Sequence, residues 1–376
     1  MHAPLLPHRS PPRVTVHHHS NGPPALRRPA APRRLGGMRA FAREVRTAVT
    51  GHAALLVTGV LLLQLAFIAS YVGAFHHPVP SGIRLGVVAP AQTRAALVER
   101  LGALPGRPLD PGAEEDAGRA ADRIRARELD AALVTDPRGT TDTLLVAGGA
   151  GASLAQAAEA VVGRAEAGRQ RTVRVEDVAP AAAGDARGLT SFYLVVGWCV
   201  GGYLCAAIIA ISAGARPANP RRAVIRLGAL LLYAAAAGLL GAVITGPVLD
   251  ALPAGIAPLW GLGTLVVLAV AALTLALQGL AGVVGIGLAI AIVVVLGNPS
   301  AGGAYPYPLL PPFWRAIGPA LPPGAGTWSA RSLAYFDGNA LTGPLLVLAA
   351  WAAAGALVTL GCAVFHERKR PKSPVS

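Results

Sequence analysis

Few side chains in this sequence are of a type and spacing that does chemistry. His17, His18 and His19, with His2 and His8 close by, offer imidazoles that could ligate a transition metal, but they sit in a stretch rich in Pro and Arg that reads as disordered. His76 and His77 follow an apolar run and read as a polar edge at a membrane surface. Gly148-Gly149-Ala150-Gly151 stands before a helical pattern, as phosphate loops do. The Gly-Lys-Ser/Thr ending that would hold a nucleotide and its magnesium is missing, so a flexible turn is the simpler reading. No Ser-His-Asp, paired-carboxylate or metal-ligand spacing stands out. The expectation is therefore a protein that is not an enzyme and carries no cofactor. What remains are arginines, prolines and aromatics in particular places.

The elements that position them are apolar. A spanning helix needs roughly 20 mostly apolar residues, and Ala53–Phe75 supplies such a run with no ionisable side chain. Further runs fall at about Ser191–Ala213, Leu227–Val248, Leu259–Leu280, Gly282–Leu296 and Pro344–Phe365. The first is too long, and too far from the start of the sequence, to read as a cleaved signal peptide, and is taken as a retained anchor. No span has Asp, Glu, Lys, Arg or His near its centre, which argues against a proton- or ion-driven carrier. Gln64, Tyr203 and Tyr233 are the notable polar groups there, and Cys199, Cys205 and Cys362 read as small packing residues. Gly197 with Gly201, and Gly238 with Gly241, allow helices to approach closely.

Charge fixes the orientation. The 376 residues carry 33 Lys+Arg against 19 Asp+Glu, a net +14, yet only 14% are charged. With a mean hydropathy of +0.51 and a pI of about 10.9, the chain is neither a disordered basic protein nor a conventional nucleic-acid binder. Nucleic acid is accordingly not expected as a partner. In a six-span arrangement the segments before Ala53, between Gly214 and Arg226, and after Phe365 fall on one side and total +15, while the other side totals −1. The positive-inside rule then puts both termini in the cytoplasm of a multi-pass protein of the cytoplasmic (plasma) membrane.

Residues 76–190 read as a small folded domain. Strands are expected at Ile83–Val88, Ala131–Val134, Thr143–Val146 and Thr172–Val175, with a turn at Asp136-Pro137-Arg138-Gly139. Helices are expected at Gln92–Leu101, with Ala95, Val98 and Leu101 inward, at Glu114–Leu129, with Ala117, Ala120, Ala121 and Ile124 inward, and after Ser153, read as its cap. Strands alternating with helices give an α/β module. The fold class is thus an α-helical polytopic membrane protein of about six spans, with a small extracytoplasmic α/β domain between the first and second. Its divisions are a basic Pro/His tail (1–34), an interfacial helix and first span (35–75), the outer domain (76–190), a five-helix membrane domain (191–365) and a basic tail (366–376).

Three further features stand out. Leu35, Met38, Phe41, Val45 and Val49 lie on one helical face with Arg39, Arg43 and Arg46 on another, which suits either an amphipathic helix on the inner leaflet or plain positive-inside anchoring. The loop from Gly214 to Arg226 carries Arg216, Arg221, Arg222 and Arg226 directly between two spans. The last outward segment, 297–343, is broken by Pro306, Pro308, Pro311, Pro312, Pro319, Pro322 and Pro323, with Phe313, Trp314, Trp328, Tyr335 and Phe336 between the breaks. Aromatics of this kind sit at a bilayer interface.

The layout of one span, an outer α/β domain, then five spans with a Pro/aromatic loop before the last resembles permeases of the type-2 ABC exporter superfamily, in particular the phage-infection-protein-like branch. The matching residues are Gly297-Asn298-Pro299-Ser300-Ala301-Gly302-Gly303, Leu310-Pro311-Pro312-Phe313-Trp314, Ala320-Leu321-Pro322-Pro323 and Ala330-Arg331, similar to that family's glycine-rich, LP-x-F, LP and Arg signature. Leu129-Asp130-Ala131-Ala132-Leu133-Val134 resembles the usual strand of its outer domain. The resemblance runs from about residue 35 to 366, with a shorter outer domain than the longer members have and no counterpart for residues 1–34. It implies a bilayer-embedded permease subunit, a homodimer or heterodimer, that exports an amphipathic or envelope-related substrate with an ATPase on a separate chain. Under that resemblance Arg216, Arg221, Arg222, Arg226, Arg39, Arg43 and Arg46 would dock the ATPase. Pro311, Pro312, Phe313, Trp314, Pro322 and Arg331 would form an outer gate. The rival reading is a non-transporting envelope receptor or scaffold that binds through its outer domain.

Overall fold

The computed structural model describes residues 50–369 together with Phe41 and Glu44. Arg39, Arg43, Arg46 and the histidines of the first nineteen positions lie outside the described residues. The chain divides into a unit ending at Leu56 and a second from Val57 onward, and the contacts below, that of Thr50 with Ala53 apart, lie within the second. Helix α1 (Gly51–Phe75) starts in the first unit, where the Thr50 hydroxyl accepts a hydrogen bond from the Ala53 amide at 3.2 Å. From Val57 to Phe75 it buries only Ser70 and Ala74.

The α/β domain follows as β1 (Ile83–Val88), α2 (Ala91–Gly102), β2 (Leu109–Glu114), α3 (Ala117–Arg125), β3 (Ala131–Val134), β4 (Thr141–Val146), α4 (Ala152–Ala167) and β5 (Thr172–Asp177). The five strands form one sheet in the order β2-β1-β3-β4-β5, parallel except where β4 runs back against β3. Side chains alternate across it. Ile83, Leu85, Val87, Leu133, Leu144 and Val146 face α2 and α4, whereas Ala132 and Leu145 face α3. Without a disulfide, buried carboxylates brace the module. Asp142, fully buried, takes a two-pronged bond from Arg171 at 2.6 and 2.7 Å, and Glu166 takes Arg100 and Arg169 at 2.8 and 2.7 Å.

Four expectations need correction. Residues 109–114 form a strand, missed because Leu-Asp-Pro-Gly-Ala-Glu breaks every strand pattern; Pro111 is tolerated because β2 lies at the sheet edge. The second helix is shorter than Glu114–Leu129, since Glu114 belongs to β2 and Asp116 caps the helix, accepting from the Arg119 amide at 2.8 Å. Leu97, not Ala95, joins Leu101 in the core face of α2. Ser153 does not cap α4. Gly151 stands at that position, and the Ser153 hydroxyl instead donates to the Ala304 carbonyl at 3.0 Å.

The rest of the chain is helical: α5 (Thr190–Ala213), α6 (Pro220–Val243, running into a wide turn at Ile244–Val248), α7 (Ile256–Ala281), α8 (Val284–Ile290, continued to Ser300), α9 (Pro312–Ile317), α10 (Pro322–Tyr335) and α11 (Thr342–Arg368). Five helices among the described residues are long and apolar enough to cross a membrane: Ala53–Phe75, Thr190–Ala213, Pro220–Val248, Ile256–Ala281 and Thr342–Arg368. The architecture is that of an α-helical membrane protein with a small α/β sheet. The run expected at Gly282–Leu296 becomes the shorter apolar helix Val284–Ser300. Helix α7 is the hub, packed by α5, α6 and α11. Trp198 of α5 fits a slot of small residues there, since a Cβ on Gly241 or Gly263 would come within 2.4 or 2.5 Å of its ring. The three cysteines are free thiols on α5 and α11.

Candidate functional site: an arginine cavity under the α/β domain

The Pro/aromatic segment does not hang as a loop. Prolines at the starts of α9 and α10 have no amide to lose at those positions, so they set short helices rather than break the chain at random. Helix α10 packs on α5, α7 and α11 and is buried over most of its length. Its aromatic end meets the α/β domain. Phe336, 1% exposed, completes the face of the sheet that α3 leaves open, and Leu309 joins the opposite face. The glycine run is the footing of this contact: a Cβ on Gly149 would lie 2.5 Å from the Tyr335 ring. Close approach, not flexibility or phosphate binding, is what Gly149 provides.

Arg127 stands just past the end of α3 with φ at 62°, a left-handed conformation that glycine usually supplies after a helix. That conformation carries its side chain into the junction. Nη1 donates to the Trp328 carbonyl at 2.8 Å and to the Ser332 hydroxyl at 2.6 Å. The guanidinium carbon lies 3.5 Å over the Trp328 ring centroid and 4.8 Å from that of Phe336. Arg331, 3% exposed, donates from Nη1 to Gly302 O (2.6 Å) and from Nη2 to Gly303 O (2.8 Å) and Gly188 O (3.0 Å). It ties α10 to the glycine-rich turn and to the start of α5. Beside it, Asp185 accepts from the Leu189 and Thr190 amides, the Thr190 hydroxyl and the Tyr335 hydroxyl, the last at 2.6 Å.

Between these braces lies a cavity of about 310 Å³. Arg84, Arg127, Arg315 and Arg331 line it against one carboxylate, Asp130, together with Tyr307, Trp328 and backbone of the glycine-rich turn. Arg84 is matched to Asp130 at 2.7 Å, and Arg315 donates to the Ser81 carbonyl and hydroxyl at 2.8 and 3.2 Å. Burial, and then the neighbouring Arg331, hold Arg127 well below the usual arginine range; burial likewise brings Arg331 down to about 10. Burial pushes the Tyr307 hydroxyl up to about 12, with the two arginines pulling the other way. Both guanidiniums still carry their charge at neutral pH. Arg331 Nε and the Tyr307 hydroxyl are buried without a hydrogen-bond partner among the described residues.

The expected gate residues are divided by this arrangement. Pro312, Phe313 and Trp314 belong to α9, with Phe313 57% exposed, and Pro311 caps it. Pro322 and Arg331 are buried on α10. Of the expected docking residues, Arg221 and Arg222 are exposed on the first turn of α6, and Arg216 is exposed with one bond to the Leu280 carbonyl. Arg226 turns inward, 6% exposed, and holds the Ala213 carbonyl at 2.6 Å. Arg127, Tyr307, Asp185 and Arg315 were not singled out from sequence. Among the described residues no cluster of three or more His, Cys, Asp or Glu could hold a metal ion. Comparison with family models, with curated proteins and with solved structures finds no match to this chain.

Proposed function

We propose that the chain is the membrane-spanning subunit of an exporter of the type-2 ABC class, working with an ATPase on a separate chain and a second membrane subunit. The observation that carries this reading is the placement of Arg221 and Arg222. Both are exposed in the first turn of α6, where Asn219 caps the helix by accepting from the Arg222 amide at 2.9 Å. The positive end of a helix dipole disfavours cations there, so helix stability does not explain them; a cytoplasmic position and an anionic partner surface between two spans both do. In this reading Val284–Ser300 is the sixth crossing. Its 17 residues reach about 25 Å at 1.5 Å each, the lower limit for a span. The termini are then cytoplasmic and residues 76–190 extracytoplasmic. Helix α1, with 6% of its span buried, is the surface for the second membrane subunit.

A second reading is an envelope receptor or scaffold. It is favoured by the sharing of Leu309 and Phe336 with the cores of the outer domain, which makes a fixed platform. Affinity purification in mild detergent separates the two. The export reading expects an ATPase to co-purify and charge reversal at Arg221 and Arg222 to release it. It fails if no ATPase is retained and the reversed variant exports normally. For topology, cysteines placed at Arg221 and Asp337 in a chain without Cys199, Cys205 and Cys362 should label from inside and outside respectively. Labelling at 221 from outside intact cells overturns the orientation.

A further inference from the structure

The arginine cavity has more positive charge than the fold consumes. Arg84 is neutralised by Asp130, but Arg127, Arg315 and Arg331 meet backbone carbonyls, hydroxyls and rings rather than carboxylates lining the cavity. Arg127 spends only Nη1 on protein acceptors among the described residues, leaving Nε and Nη2 with their hydrogens uncommitted. Trp328 stacks on the guanidinium and Phe336 lies close by, so its uncommitted edge is where an incoming group would bond. The Tyr307 hydroxyl and Arg331 Nε also lack acceptors among the described residues, but both are covered by protein atoms. Buried cations in one low-dielectric space repel one another, and an anion between them offsets that cost.

We propose that this cavity binds an oxyanion of the phosphate class, held by the Arg127 edge, with Arg84 and Arg315 at the entrance. The entrance assignment follows from exposure: Arg84 and Arg315 are partly exposed, whereas Arg127 and Arg331 are buried. Planar guanidiniums with edge donors suit phosphate oxygens geometrically as well as electrostatically. At about 310 Å³ the space lies at the lower end of small-molecule pockets, large enough for a phosphorylated small molecule or a phospholipid headgroup. Two sources share this chemistry, a soluble phosphate and an anionic lipid, and exposed Phe313, two positions from Arg315 on α9, keeps the entrance beside an apolar surface. The site stands on its own geometry, whether or not the chain exports anything.

The test uses the full-length protein in detergent micelles. Thermal unfolding is followed while inorganic phosphate replaces chloride at constant ionic strength, and separately after addition of phosphatidylglycerol or phosphatidylcholine. The midpoint is expected to rise with inorganic phosphate, or with phosphatidylglycerol and not phosphatidylcholine; the first outcome marks a soluble ligand and the second a lipid headgroup. R315Q and R84Q, which leave the Arg127 and Arg331 braces in place, should each shift half-saturation to about tenfold higher concentration, as expected for loss of one hydrogen bond to an anion. A midpoint indifferent to both probes overturns the proposal. So does protection that R315Q and R84Q retain unchanged, since that is nonspecific charge screening.

Discussion

Arg127 and Trp328 stand 201 positions apart in the chain, yet the guanidinium of one lies 3.5 Å over the ring of the other and bonds its main-chain carbonyl at 2.8 Å. This stack joins the α/β domain to the helix wedged among α5, α7 and α11. The α/β domain is therefore finished by Leu309 and Phe336, more than 130 positions beyond its last strand.

The stack has a measurable coupling. A desolvated cation–π contact is worth about 2 kcal/mol, so a cycle of Arg127→Gln, Trp328→Leu and the double variant should show a coupling of roughly 1–2 kcal/mol in unfolding of the purified protein. Strict additivity would mean that the stack is geometric coincidence.

Glycines at the junction and elsewhere should part company. A Cβ on Gly149 meets the Tyr335 ring and its Cβ at 2.5 and 2.6 Å, atoms close to the backbone that have little room to move. Gly149→Ala should therefore destabilise by about 1–3 kcal/mol, as overpacking does. Gly163, inside α4, has nothing within 4 Å of the place a methyl group would take, and Gly163→Ala should stabilise by about 0.5–1 kcal/mol through helix propensity. Thermal melts of the two variants check both signs.

The same contrast between local and distant contacts governs what is legible in the sequence. Spans, charge asymmetry and four of the five strands are local patterns, written in runs of apolar residues or strict alternation, and they can be read from Ala53–Phe75 or Ile83–Val88 alone. Strand β2 cannot, because Pro111 and Gly112 erase the pattern and only the pairing of Leu109–Glu114 with β1 makes it a strand. The cavity is hidden for a different reason. Arg127 is one arginine among many in residues 76–190, and its partners arise from chain topology, not from spacing. A faint signal exists at α10: Trp328 and Ser332 on the helix and Phe336 just past its end fall four apart, a ring, a hydroxyl and a ring in helical spacing, as a binding face would. Arg331 stands out through a family-like motif, but its bonds to Gly188, Gly302 and Gly303 require the fold.

Alkaline pH should isolate Tyr307. Its folded hydroxyl titrates at about 12 against an ordinary 10.0 because burial disfavours the phenolate. Below pH 10 both states keep the proton and nothing changes. Between pH 10 and 12 the unfolded chain releases the proton while the folded one retains it, so stability falls as pH rises. The loss attributable to this group should approach about 2 kcal/mol near pH 12. Arg331, lowered by burial, acts in the opposite direction over the same range, so the measured quantity is the difference between wild type and Tyr307→Phe. That difference should shrink steadily above pH 10; a constant difference from pH 9 to 12 would sink the assignment.

Arg331 makes three bonds that only a fork can make at once. Its Nη1 and Nη2 reach carbonyls of Gly302, Gly303 and Gly188, which belong to the glycine-rich turn and to the approach of α5. A lysine keeps the charge but presents one nitrogen on a flexible stem, so at least one buried carbonyl is left without a donor. Arg331→Lys should cost roughly 2–4 kcal/mol, seen as a lower unfolding midpoint and as faster proteolysis of the segment between α8 and α11. Arg331→Gln should be at least as damaging, because the amide is too short to span the three acceptors. The size of this effect also tests the two roles assigned to the residue. A clasp loses stability in proportion to bonds lost, whereas a gate residue would change transport at an unchanged midpoint. An Arg331→Lys variant with the wild-type midpoint would therefore refute the clasp and leave the gate.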